Sequence, residues 1–154
     1  MISVDVFSEE RAWSNRLKKK HLFFKKICSL FPKKYQFVNK KVNFTLLLSN
    51  SKEIKKLNKK FRNKNKSTDV LSFPFNSLTK KSKITYIGDI IISYNFMDKP
   101  KSQNLKSFKE KTTKIFIHGF LHLLGFDHVK DKDYKKMLRE EEICLLYTSP
   151  SLRD

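Results

Sequence analysis

The sequence predicts an α/β (α+β) domain: a small mixed β-sheet packed against several helices, with a central helix that carries the chemistry. Three observations carry this. Segments with strand-like and helix-like hydrophobic periodicity follow one another as strand, helix, strand, helix, strand, strand. A later helical segment, residues 104–124, is apolar almost all round in its last two turns and so belongs in the interior. Three of the four histidines stand within eleven residues at that segment's end. With 154 residues the chain is one domain of ordinary size, able to bury roughly 70% of its unfolded surface.

Residues 2–7 alternate Ile2, Val4 and Val6 with polar neighbours, as a half-buried strand does. A basic helix is expected over residues 14–31, with Leu17, Leu22, Phe23, Ile27 and Leu30 inward and Pro32 as its stop. Residues 42–48 begin with alternation and end as a continuous apolar run, which fits an interior strand. Asn50 then caps a helix, with Glu53 at the capping-box position and Ile54, Leu57 and Phe61 as its buried stripe. A polar loop at 62–67 leads to a strand at 69–75, where Pro74 indicates a sheet edge or a strand end. The lysine-rich stretch 79–83 reads as a mobile loop joining that strand to another at 84–93, in a hairpin. After the histidine helix, a last helix starts at Asp131, with Tyr134, Met137, Leu138 and Ile143 expected inward.

Composition narrows the function classes. The net charge of +19 points by itself to RNA, DNA or an anionic membrane. Yet 29 of the 34 basic residues are lysine, in a chain also rich in Phe, Asn and Ile, and AT-rich codons produce that pattern without selection for binding. The charge therefore permits a nucleic-acid partner and does not establish one. Only two cysteines are present, Cys28 and Cys144, so disulfide staples are not expected. The opening residues lack a basic leader and an apolar core, and no apolar run reaches membrane-spanning length. These features predict a cytoplasmic, reducing setting and no membrane partner.

His118 and His122 stand four apart, so on a helix both imidazoles project from one face and can reach one ion. Gly125 suits the left-handed turn that ends the helix and brings His128 back to the same ion. Three neutral imidazoles suit zinc, one ion per chain, with a fourth position left open as in catalytic sites. The spacing equals that of the zinc proteases with H-E-x-x-H-x-x-G-x-x-H, whose glutamate is the general base. Here Gly119 occupies that position, so ordinary peptide hydrolysis is disfavoured. His21, isolated among lysines, is read as a surface residue. Such an ion can acidify its water or polarise a phosphoryl or carbonyl oxygen. Phosphodiester chemistry also needs charge neutralisation, which an arginine fork supplies better than a lysine. Arg62 is conspicuous among so many lysines, although a helix-capping surface arginine would look the same. Asp127 either orients a histidine or caps the turn; Asp69, Asp89 and Ser72 are site-facing or structural, structural first for Asp69 and Ser72.

The stretch His118-Gly119-Phe120-Leu121-His122-Leu123-Leu124-Gly125-Phe126-Asp127-His128 resembles the H-G-x-L-H-L-x-G-x-D-H motif of the YbeY family of bacterial rRNA maturation factors, with every fixed position present. The resemblance extends through Leu57-Asn58, Phe61-Arg62, Thr68-Asp69-Val70-Leu71-Ser72-Phe73-Pro74 and Gly88-Asp89-Ile90, in the family's order. It implies a zinc-dependent, single-strand-specific endoribonuclease that acts in rRNA maturation, including the 3' end of 16S rRNA, and in ribosome quality control. It implies single-stranded rRNA, the small ribosomal subunit and assembly factors as partners, and it puts the family's functionally important arginine at Arg62. Two readings from other classes stay open: a metallohydrolase of a non-nucleic substrate, and a non-catalytic assembly protein with a structural zinc.

From Cys144 the composition changes. Residues 144–154 hold no lysine in a chain that is otherwise about one-fifth lysine, and apart from Leu152 they read like a translated sequencing-library adapter. The domain is accordingly expected to span 1–143, with 144–154 a non-native or disordered tail.

Overall fold

A computed structural model of the chain describes residues 1–75 and 84–152. Four strands, β1 (Ile2–Ser8), β2 (Lys41–Ser49), β3 (Val70–Pro74) and β4 (Ile84–Ser93), form one sheet in the order β1-β2-β4-β3. β1 and β4 run parallel to β2, while β3 pairs antiparallel with β4, so the sheet is mixed as expected. β3, which ends at Pro74, is an edge strand, where a residue without an N–H costs no ladder bond. The expected loop at 79–83 lies outside the described residues.

β2 is interior because its side chains can be buried on both faces. Val42, Phe44, Leu46 and Leu48 are fully buried on one face, and Leu47 on the other joins Ile54, Leu71 and Ile91 in a smaller cluster. Helix α3 (Ser51–Arg62) covers that second face. Its start is capped as the sequence predicts: the Asn50 side chain accepts from the Glu53 N–H at 2.9 Å. On the first face lies α5 (Leu105–Leu123), whose Phe116 and Phe120 meet Phe24, Phe31 and Phe44 at ring separations of 4.8–5.8 Å. Asn104 caps α5 by accepting from the Ser107 N–H at 2.8 Å.

Three local expectations give way to packing. The helix expected over 14–31 is broken into α1 (Trp13–Arg16) and α2 (Lys20–Ser29), with Leu17 extended between them. The break lets buried Trp13 donate its indole N–H to the Ser49 carbonyl at 2.9 Å while Phe24 still reaches the core; Leu22 is left outside. Phe61 is 60% exposed and meets Phe73 of edge strand β3 edge-on, with ring centroids 5.7 Å apart. A short α4 (Tyr94–Met97), unmarked in the sequence pattern, follows β4.

The last helix, α6 (Asp131–Leu152), buries Met137 as expected and half-buries Ile143, but its inward stripe otherwise differs from the expected one. Tyr134 and Leu138 point outward; Met137, Glu141, Cys144 and Thr148 are buried. Those four recur at helical spacing, and α6 packs along α5, so the inward stripe is chosen by that contact rather than by hydrophobicity alone. The helix runs across residue 143 without interruption.

Candidate metal centre

The end of α5 is built as a Schellman turn. Gly125, at φ +98°, donates its N–H to the His122 carbonyl at 3.0 Å, and Phe126 donates to the Leu121 carbonyl at 3.1 Å. Reversal of the chain has two consequences for the histidines. It carries the His128 ring to within 5.5 Å of the His118 ring and 5.1 Å of the His122 ring. It also aims the Phe126 carbonyl at His122, whose Nδ1–H donates to it at 2.9 Å.

His118 is oriented by a residue that sequence reasoning missed. Its Nδ1 meets Oε1 of Glu141, a buried carboxylate on α6. A carboxylate and a carbonyl only accept, so each of the two rings carries a proton on Nδ1, and as a neutral imidazole presents a bare Nε2. These two Nε2 atoms face each other at 3.1 Å. Two lone pairs at that distance have no attraction for one another, whereas two ligands each about 2.0–2.1 Å from one zinc ion are separated by about that much. One nitrogen from each of His118, His122 and His128 lies within 4.8 Å of the others. The donor set therefore fits a metal ion. Burial, and then the neighbouring His118 and His128, push the His122 imidazole below its ordinary range, the direction that favours the neutral ring.

The three histidines line a cavity of about 670 Å³ together with Arg62, Asn58 and Lys64. Arg62 is the last residue of α3, is exposed, and among the described residues has no ion-pair partner. Its place follows from how α3 ends. Asn63 adopts the left-handed conformation at φ 56°, and the N–H groups of Asn63 and Lys64 both bond to the Asn58 carbonyl. The buried Asn58 side chain donates to the Lys66 carbonyl at 3.0 Å, closing the basic loop on itself.

The other candidates separate. Ser72 bonds the backbone of α5, and Asp69 accepts from the Val70 N–H at 2.8 Å; both line the cavity through structural roles. Asp89 accepts from the Tyr86 hydroxyl. Asp127 accepts from the His128 N–H at 2.7 Å, the turn-capping alternative, and His21 is exposed. At Gly119 a Cβ would lie 2.9 Å from Ile90 Cγ2 and 3.2 Å from Ser72 Oγ, so the position that carries the proteases' glutamate faces the sheet here and has no room for one. Gly88, at φ +140°, sits in a bulge of β4, where a Cβ would strike the Phe73 carbonyl at 2.3 Å and Leu123 at 2.8 Å. Its absence of a side chain lets α5 settle close to the sheet.

No helix of the described residues is long and apolar enough to cross a membrane. The family profile described as Endoribonuclease YbeY matches residues 7–148. A protein from Pelagibacter ubique named Endoribonuclease YbeY is 59% identical over 93% of this chain and 94% of its own length. Proteins of the same name from Aliarcobacter butzleri (42% identical over 69% of this chain and 74% of its own length) and Buchnera aphidicola (41% over 82% and 79%) are also similar. With nearly the whole chain covered and the histidine cluster formed in space, the chain belongs to the YbeY endoribonuclease family.

Proposed function

We propose that this protein is a zinc-dependent, single-strand-specific endoribonuclease of rRNA maturation, including the 3' end of 16S rRNA, and of ribosome quality control. It would work in the cytoplasm on the small ribosomal subunit and alongside assembly factors. The observation that carries the reading is the meeting, in one cavity, of three metal-competent histidines with an arginine that has no ion-pair partner among the described residues, in a chain whose relatives are named endoribonucleases.

His118, His122 and His128 would hold one zinc ion per chain, which when bound supplies Lewis acidity toward a phosphoryl oxygen. Arg62, free to offer a planar pair of donors, neutralises charge developing on the non-bridging oxygens of the scissile phosphate. Lys64 and Lys66, on the loop that Asn58 ties, add positive charge along the RNA path. An open cavity admits an unpaired strand; a peptide would find no carboxylate at Gly119 to serve as base.

The test pairs metal analysis with cleavage of single-stranded and structured rRNA fragments. His118→Ala, His122→Ala and His128→Ala should each lose most of the zinc and the cleavage, and His21→Ala should lose neither. Equal zinc loss in the His21 variant, or wild-type cleavage in the three others, would overturn the reading.

A further inference from the structure

Glu141 is the middle of three successive glutamates: Glu142 is exposed, Glu140 is largely covered and reaches Lys34, with Oε2 at 2.7 Å from Nζ, and Glu141 is buried. Met137, four residues before it on the same face of α6, is anchored in the core beside α5. A carboxylate on such a face is costly to bury unless it is paired. Its partner is Nδ1 of His118.

We infer that Glu141 is a positioning residue of the metal centre, which accepts the Nδ1 proton of His118 and so holds that ring in the tautomer and orientation that turn a bare Nε2 toward His122 and His128. The inference rests on the zinc reading of the three histidines. The two helix histidines are oriented by different means. His122 is held by a backbone carbonyl of its own turn, within four residues. His118 depends on a side chain of another helix, 23 residues away, so its availability as a ligand is coupled to the docking of α6. A carboxylate partner also raises the basicity of the imidazole and offsets the charge of a dication that three neutral ligands leave uncompensated.

A merely structural ion pair between α5 and α6 would have a different signature, and two substitutions in the full chain separate the two. Glu141→Gln keeps an acceptor for the Nδ1 proton and loses the charge; Glu141→Met keeps the volume and loses both. Zinc affinity is measured by competition with a chromophoric chelator, the metal-free unfolding temperature by scanning, and the His118 tautomer by ring ¹⁵N shifts. Zinc should bind about 10-fold more weakly in Glu141→Gln and about 100-fold more weakly in Glu141→Met. The metal-free unfolding temperature of Glu141→Gln should stay near wild type, and the Nε2-protonated tautomer of His118 should gain population in Glu141→Met. Wild-type zinc affinity in both variants, or losses that follow the metal-free unfolding temperature alone, would overturn the inference. Should Glu141→Met fail to fold, Glu141→Gln and its ring shifts decide. A wild-type protein that binds no stoichiometric zinc would instead bring down the zinc reading, and this inference with it.

Discussion

Ser72 donates its hydroxyl proton to the Gly119 carbonyl at 2.9 Å, pinning edge strand β3 to α5 one residue past His118. The contact is close because Gly119 has no side chain to hold the two apart. Gly119→Ala gains about 1 kcal/mol of helix propensity but meets Ile90 and Ser72, an overpacking that costs about 1–3 kcal/mol. Its net effect should be a loss of about 1 kcal/mol. Gly119→Glu should lose about 3 kcal/mol or more, since it adds a charge to the same closed space, and should confer no peptidase activity. Denaturant unfolding measures both; an undiminished stability in Gly119→Glu would mean that the sheet yields at this point.

Arg62 separates cleavage from attraction to RNA. Arg62→Lys keeps the charge and loses the two-pronged geometry. Zinc content, fold and most RNA binding should survive, while the cleavage step slows about 100- to 1000-fold, the usual cost of removing one preorganised donor. Single-turnover kinetics at saturating protein isolate that step. A variant that cleaves at the wild-type rate would demote Arg62 to a surface residue.

Asn58 should matter without touching RNA. In Asn58→Leu the Lys66 carbonyl loses its partner, at a cost of about 1–3 kcal/mol, and the loop beyond Arg62 loosens. Cleavage should fall with zinc affinity unchanged. Parallel loss of zinc would show instead that the substitution disturbs the whole cavity.

Both thiols are buried, and burial raises both; Cys144 is pushed up to about 12, with Glu140 adding to the effect. The unfolded thiols titrate near 8.5, so their contribution to stability is complete below that pH and is lost as pH rises toward the folded values. The alkaline decline should be shallower in a Cys28→Ala, Cys144→Ala double variant. At pH 8 the native protein should react with a thiol reagent far more slowly than the denatured one. Rapid labelling of Cys144 would mean that α6 is unpacked beyond Glu141. Our proposal that residues 144–154 are non-native is tested separately, by re-reading the gene from independently prepared genomic DNA; recovery of the same codons would sink it.

What was legible in the sequence was local. The i, i+4 spacing of His118 and His122, the glycine that turns the helix, the cap at Asn50 and the alternation of β2 are each decided within a few residues, where backbone geometry alone dictates which side chains share a face. Arg62 was conspicuous among the lysines, and the family resemblance strengthened it over the alternative of a helix-capping surface arginine. Tertiary structure decided what depends on packing between distant segments: that residues 14–31 break at Leu17 to seat Trp13, that Arg62 shares a cavity with histidines more than fifty residues away, and that Gly119 faces the sheet. It also chose Glu141 among three adjacent glutamates. Helical spacing from Met137 could have nominated that position, but with Tyr134 and Leu138 as competing apolar residues the inward face of α6 follows only from its contact with α5, where a carboxylate is stable because the His118 ring is there to meet it.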